Sequence, residues 1–187
     1  MKIFPKNVRA ASISLAKVQE KKIKPFAGGA GYLHMQLTVQ KAGGYGHLAV
    51  VPEDLVASLG GEKRVICTID GHALHLAINR VHAIGYYIYL GKSTLKKLDL
   101  EAGMSFEAEF RVDDTPYQCE MPEEFEEVLL TDPEADQIFH SLTPGNQRSL
   151  IFMVSRVKSI DKRIEKALKI TGGLKRGLTK PQEVLKW

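Results

Sequence analysis

The side chains able to do chemistry fall into a few groups, and the largest is basic. Arg148, Arg156, Lys158, Lys162 and Arg163 lie close together near the C-terminus. Steps of three and four residues return to one side of a helix, so Lys158, Lys162, Lys166 and Lys169 fall on one stripe. Guanidinium and ammonium groups gathered this way can hold phosphate or carboxylate anions, and these five residues form the candidate ligand or anion site. The competing reading of such a run is a solvated face. A second group is His72, His75 and His82. Zinc needs ligands converging on one point, whereas strand residues of unlike parity diverge, as His72 and His75 do; no metal site is expected. Tyr87 and Tyr89 share a strand face, which suits either a stacking platform for a base or sugar or simple packing. Gly43, Gly44 and Gly46 lack the Lys-Ser/Thr pair and following helix of a phosphate loop, so they read as a hairpin turn. No Ser-His-Asp order or carboxylate pair stands out. No catalytic residue and no cofactor is nominated.

The elements that must position these groups are organised around Val50 to Asp70, VVPEDLVASLGGEKRVICTID. An apolar, β-branched run stops at Pro52, which cannot donate to a sheet ladder but suits the first turn of a helix. Glu53 and Asp54 then complement the positive end of the helix dipole. Leu55, Val56 and Leu59 give one apolar face, and Gly60-Gly61 ends the helix. Val65, Cys67 and Ile69 resume with period two. A second copy runs from Tyr86 to Phe110: Ile88 and Leu90 end a strand, Ser93 caps Thr94 to Leu98, and Met104, Phe106, Ala108 and Phe110 alternate with Ser105, Glu107 and Glu109. Asp70-Gly71 is a hairpin signal that returns Ala73 to Val81 antiparallel to Val65 to Ile69, and Tyr32 to Val39 reads as a first strand.

With 187 residues, 44% hydrophobic and 26% charged, the chain has a globular composition and can bury a sizeable core. It has no apolar run of membrane-spanning length and no secretory signal, so no membrane span and a cytoplasmic location are expected. Cys67 and Cys119 have no metal-ligand spacing, and two free thiols are the expected state. The net charge of +4 conceals a segregation. Residues 120–142 carry 8 acidic side chains and no Lys or Arg, and residues 143–187 carry 11 basic against 3 acidic. Either the two blocks pair with each other or the basic face is left for an anionic partner.

This gives four segments: an N-terminal arm over 1–25 with a strand-like run at Ala10 to Leu15, a β-barrel domain over 26–119, an acidic connector with helices over 120–142, and a basic helical domain over 143–187. Asp132-Pro133 and Thr143-Pro144 each place a capping side chain before a proline at the first helical position, and Ser159 is placed to cap the last long helix. The expected apolar faces are Ile138, Phe139 and Leu142; Leu150, Met153, Val154 and Val157; and Ile160, Ile164, Ala167 and Leu168. The helical part is expected to dock on the barrel.

The segment from Ile138 to Leu168 resembles the C-terminal domain of bacterial YdeI/OmpD-associated proteins, also labelled bacteriocin-protection proteins, at Phe139, Leu142, Pro144, Arg148, Lys158, Arg163 and Ile164. It departs from them at Phe152-Met153, where tryptophan is common, and at Val157, where alanine is usual. Residues from about Tyr32 to Asp113 resemble the domain of unknown function often fused ahead of it. The resemblance implies an α+β chain, with an AbrB-like double-split β-barrel made from two internal strand-helix-strand units and a helical domain behind it. The family label points to envelope or antimicrobial-peptide stress and supplies no catalytic residues.

Three functions from different classes follow. The first is a non-enzymatic binding or adaptor module for a small ligand, peptide or protein, using a cleft between barrel and helices. The second is a nucleic-acid-binding regulator with the five basic residues as phosphate contacts. The third is an enzyme whose site is assembled from loops.

Overall fold

A computed structural model describes residues 24–25 and 32–186. The expected N-terminal arm, including its run at Ala10 to Leu15, lies outside these apart from Lys24 and Pro25. The chain divides between Asp113 and Asp114 into a sheet unit and a helical unit.

The sheet unit is a curled antiparallel sheet whose strands are β1 (Lys24–Pro25), β2 (Leu33–Thr38), β3 (Gln40–Lys41), β4 (His47–Val51), β5 (Arg64–Ile69), β6 (His72–Val81), β7 (Gly85–Leu90) and β8 (Ser105–Val112). Their spatial order is β1-β2-β8-β5-β6-β7-β4-β3. Beyond β2 the segment continues through Val39, whose N–H donates to the Met104 carbonyl and whose own carbonyl accepts from Gly103. It then pairs with β4 at Gln40 and Lys41. One bent segment thus pairs with β8 at one end and β4 at the other, which curls the sheet into a half-barrel. The long strand β6 does likewise, pairing with β5 through its first half and with β7 through its second.

The tandem units explain this curl. Helix α1 (Glu53–Ser58) joins β4 to β5, and α2 (Lys92–Lys97) joins β7 to β8. Like strands pair with like: β4 with β7, and β5 with β8. With Val51-Pro52 laid on Leu90-Gly91, Ala49 stands opposite its own counterpart, Ile88. Each helix has its C-cap at a leucine, Leu59 or Leu98, followed by a residue in the left-handed region, Gly60 at φ 69° or Asp99 at φ 50°. Aspartate tolerates that conformation better than most side chains, which is how the second copy does without the glycine. The helices start one or two residues away from the sequence expectation. Pro52 is the N-cap, not the first helical residue, and α2 is preceded by Gly91, so Ser93 lies inside the helix and caps nothing. Asp70-Gly71, at φ 49° and 73°, makes the expected tight hairpin between β5 and β6. Between the two faces of the curl lie Val51, Leu55, Val65, Cys67, Ile88, Leu90 and Phe110.

The helical unit contains α3 (Glu123–Leu130), α4 (Pro133–Ser141), α5 (Pro144–Ser155), α6 (Ile160–Lys175) and α7 (Pro181–Lys186). Asp132 and Thr143 cap as their sequences require, accepting from the N–H groups of Ala135 and Asn146. Ser159 occupies the N-cap of α6 without a side-chain bond. Phe125 and Phe139 meet edge to face at 5.4 Å in a core shared with Leu129, Leu150, Val154 and Ile170. Gln147, also buried, donates to the carbonyls of Phe139 and His140 at the end of α4, the first of which also accepts from the Leu142 N–H.

The face expected of α6 is corrected. Ile160, Ile164 and Leu168 are exposed, and the buried residues are Ala167, Ile170, Thr171, Gly173 and Leu174. Two ion pairs accompany this orientation: Arg163 to Glu124 at 2.6 Å and Lys175 to Asp132 at 2.6 Å. Both join the acidic segment to the basic one, so the two charge blocks pair in part. The lysine stripe is corrected too, because Lys158 lies in the link between α5 and α6 and not on a helix.

Candidate functional site

Proline at 122 ends the irregular segment 114–121 and starts α3, bringing Glu123 and Glu124 into the first turn of that helix, near its positive end. The C-terminal end of α5 lies beside it with Phe152 and Ser155, and α6 adds Arg163. Together with Glu120, Met121 and Pro122 these residues line a cleft of about 470 Å³ within the helical unit. Its wall is the Arg163–Glu124 pair, in which both side chains are largely buried. The hydrogen bond from Arg163 holds the Glu124 carboxyl below the ordinary carboxylate range, helped by a backbone N–H and opposed by partial desolvation. Arg163 also reaches the Val157 carbonyl, while its Nε is buried with no partner among the described residues. Phe152 leaves 39% of its surface exposed, whereas its neighbours Leu150, Ile151 and Val154 are fully buried. The Arg156 guanidinium stands 6.0 Å from the Phe152 ring centroid.

Of the five basic residues nominated from sequence, Arg163 alone lines this cleft. Arg156 reaches it indirectly, over the Phe152 ring. Arg148 lies on the same helix and donates from Nη1 to the Gln118 side chain at 3.0 Å. Lys158 and Lys162 are exposed.

The structure also assembles a chain of polar groups that the sequence reading passed over. The Tyr117 hydroxyl bonds His140 Nε2 at 2.8 Å, and His140 Nδ1 lies 3.1 Å from an Asp136 carboxylate oxygen and 2.9 Å from the Asp136 carbonyl. The Asp136 and His140 spacing of four along a helix was the available signal. Burial raises the Tyr117 pKa, and the nearby Asp136 and Glu126 charges add to the rise, so this phenol is held protonated and is a poor nucleophile.

In the sheet unit the histidines do not converge. His72 and His82 are exposed, and His75 Nδ1 bonds Asp113 Oδ2 at 2.7 Å; Asp113 is buried. No cluster of three or more metal-binding side chains occurs among the described residues. Tyr87 and Tyr89 face away from the core, with Tyr89 50% exposed and its ring lying over Gly46. Cys67 and Cys119 are both buried, one in the core of each unit. No helix among the described residues is long and apolar enough to cross a membrane.

Comparison with known families places the two units. Residues 118–177 match the family model described as bacteriocin-protection, YdeI or OmpD-associated, and residues 36–110 match that of a domain of unknown function, DUF1905. The chain joins a DUF1905 domain to a YdeI/OmpD-associated domain. No curated protein and no solved structure matches it. Every residue lining the cleft falls within the YdeI/OmpD-associated stretch, and the DUF1905 stretch takes in nearly all of both strand-helix-strand units.

Proposed function

We propose that this chain is a non-enzymatic binding module, with the cleft of its YdeI/OmpD-associated domain as the ligand seat. The observation that carries the reading is Phe152, an aromatic ring 39% exposed on the outward side of α5, where it lines the recess together with Ser155. Small-ligand sites are concave, of a few hundred cubic ångströms, and combine apolar surface with a few placed polar groups. The reading keeps Arg163 and Arg156 as ligand-side residues and assigns Arg148 to holding the Gln118 turn. The Tyr117–His140–Asp136 chain contributes no residue to the lining of the cleft. We also infer a double-split β-barrel for the DUF1905 domain, supported by the like-with-like pairing of its two units, and a cytoplasmic location.

A thermal-shift screen of amines, carboxylates, sugars and nucleotides tests the reading. At least one class should raise the melting temperature of the wild-type chain and lose that effect in Phe152→Ala. A screen in which nothing binds, or in which Phe152→Ala responds like the wild type, would overturn it.

The second reading, a nucleic-acid contact surface, is favoured by the exposure of Arg156, Lys158 and Lys162. Three phosphate contacts give a slope of roughly −2.7 in log affinity against log salt on duplex DNA. Absence of binding at roughly 50 mM salt disposes of it.

A further inference from the structure

We propose that the outward face of α6 is the contact between two copies of this chain, laid antiparallel about a two-fold axis at Ile164. The contact shares no residue with the lining of the cleft and does not depend on it.

Ile160, Ile164 and Leu168 are 59%, 38% and 55% exposed. They stand four residues apart on a helix of 16 residues, so their side chains form one continuous ridge. Single aliphatic side chains on a surface need no explanation, but an unbroken strip of them marks a contact. On one side of the ridge the next row is Arg163, Ala167 and Thr171, which holds the ion pair to Glu124 and two buried residues. On the other side the next row is charged: Asp161, Glu165 and Lys169, again at steps of four.

This arrangement fits a second copy of itself. Ridges made by steps of four interdigitate with ridges of the same kind, the commonest way in which helices pack, and the strip is symmetric about its middle residue. A two-fold contact brings the same patch of both copies together, so an axis at Ile164 sets Ile164 against the partner's Ile164 and Ile160 against the partner's Leu168. The same operation reverses the charged row. Asp161 comes opposite the partner's Lys169, and Lys169 opposite the partner's Asp161, so two attractive pairs outweigh the single meeting of Glu165 with its like. A lipid surface fits less well, because binding to anionic headgroups needs basic side chains beside the apolar strip. Here Asp161 and Glu165 stand beside it, and Lys162 and Lys166 lie one row further round. Three aliphatic side chains on each copy fall short of the standard interface of about 800 Å² per partner. The dimer is therefore a weak one.

Sedimentation equilibrium of the full chain from about 10 μM to about 1 mM, at low ionic strength, should show reversible dimer formation. Ile164→Lys puts two like charges at the axis and should raise the dissociation constant by roughly tenfold or more. Asp161→Lys should raise it by roughly threefold to tenfold, and Asp161→Lys/Lys169→Asp should return it to within about twofold of the wild type. Asp161 is exposed, so its variants test the contact without touching the core. A chain that stays monomeric over this range would overturn the proposal. So would a dimer that Asp161→Lys leaves unchanged or that the charge swap does not restore, since another face or register would then hold it. Binding of a monomeric chain to anionic phospholipid vesicles, lost in Leu168→Ser, would give the strip to a membrane surface instead.

Discussion

Ala49 lies directly across the sheet from Ile88, the residue that holds its place in the other strand-helix-strand unit. The two copies therefore meet about a local two-fold relation, and neither can complete its half of the core alone. Leu55 and Val56 of one unit and Leu95 of the other cover the same apolar interior. Ile88 is fully buried there. Ile88→Ala should destabilise the sheet unit by about 2–5 kcal/mol, the usual cost of removing a buried aliphatic side chain. Urea unfolding followed by the β-sheet signal checks this.

Gly46 has φ 75°, and a Cβ there would come within 3.3 Å of the Tyr89 ring. With ψ at −133° this is a positive-φ conformation that residues with a Cβ rarely adopt, so Gly46→Ala combines backbone strain of about 1–3 kcal/mol with displacement of that ring. Adding Tyr89→Ala should recover only the second part, and a double-mutant cycle separates the two. Full recovery would contradict the backbone argument.

Much of the architecture could be read directly from the residues. The tandem units were visible because Pro52 and Gly60-Gly61 bound the first helix and strand-like runs flank a short helical signal in both copies; the start of α2 was not, since Ser93 offered a cap at a position that lies inside the helix behind Gly91. The caps at Asp132 and Thr143 were legible because each stands directly before a proline. The α6 face was not, since Ile160, Ile164, Ala167 and Leu168 keep helical spacing as well as the truly buried residues do. What selects between the two stripes is tertiary, the packing of Ala167, Ile170 and Leu174 with Phe125, Leu129 and Leu150 from distant parts of the chain, beside the pairing of Arg163 and Lys175 with carboxylates some forty residues away. The cleft was illegible in the same way. Glu120, Glu123, Phe152 and Arg163 come from three separate segments, and the basic run drew attention to Lys158 and Lys162, which the fold leaves in solvent.

Gln147 is buried and satisfies two carbonyls at the end of α4. Gln147→Leu keeps the approximate volume and removes both bonds, while the Phe139 carbonyl keeps the Leu142 N–H, so it should cost about 0.5–1.5 kcal/mol. The loss should appear in the midpoint of helix unfolding, with faster amide exchange at the α4–α5 junction.

Acid should weaken the helical unit. The hydrogen bonds from Arg163 and Lys175 lower the carboxyl pKa values of Glu124 and Asp132 below their ordinary range. A group with its folded pKa below its unfolded one adds stability that is present above the unfolded value and lost as pH falls through the folded value. Lys175 is shifted upward by Asp132, so its share is present below the ordinary lysine pKa and lost as pH rises through the folded value. Melting temperature should therefore fall between pH of about 5 and about 2, and less steeply in Glu124→Gln than in the wild type. Parallel curves would count against the pair.

Burial pushes the Cys67 thiol up to about 12. The thiolate is the reactive form, so Cys67 should resist a disulfide reagent at neutral pH and react once the sheet unit is unfolded in urea. Mass spectrometry of the labelled peptide reports which condition modifies it.

The most direct test of the binding account is an amide chemical-shift map of the full chain titrated with the compound that most raises its melting temperature in the thermal-shift screen. The account predicts saturable shifts gathered on Glu120, Met121, Glu123, Phe152, Ser155 and Arg163. Shifts scattered over the lysines of α6, or confined to the sheet unit, would contradict it.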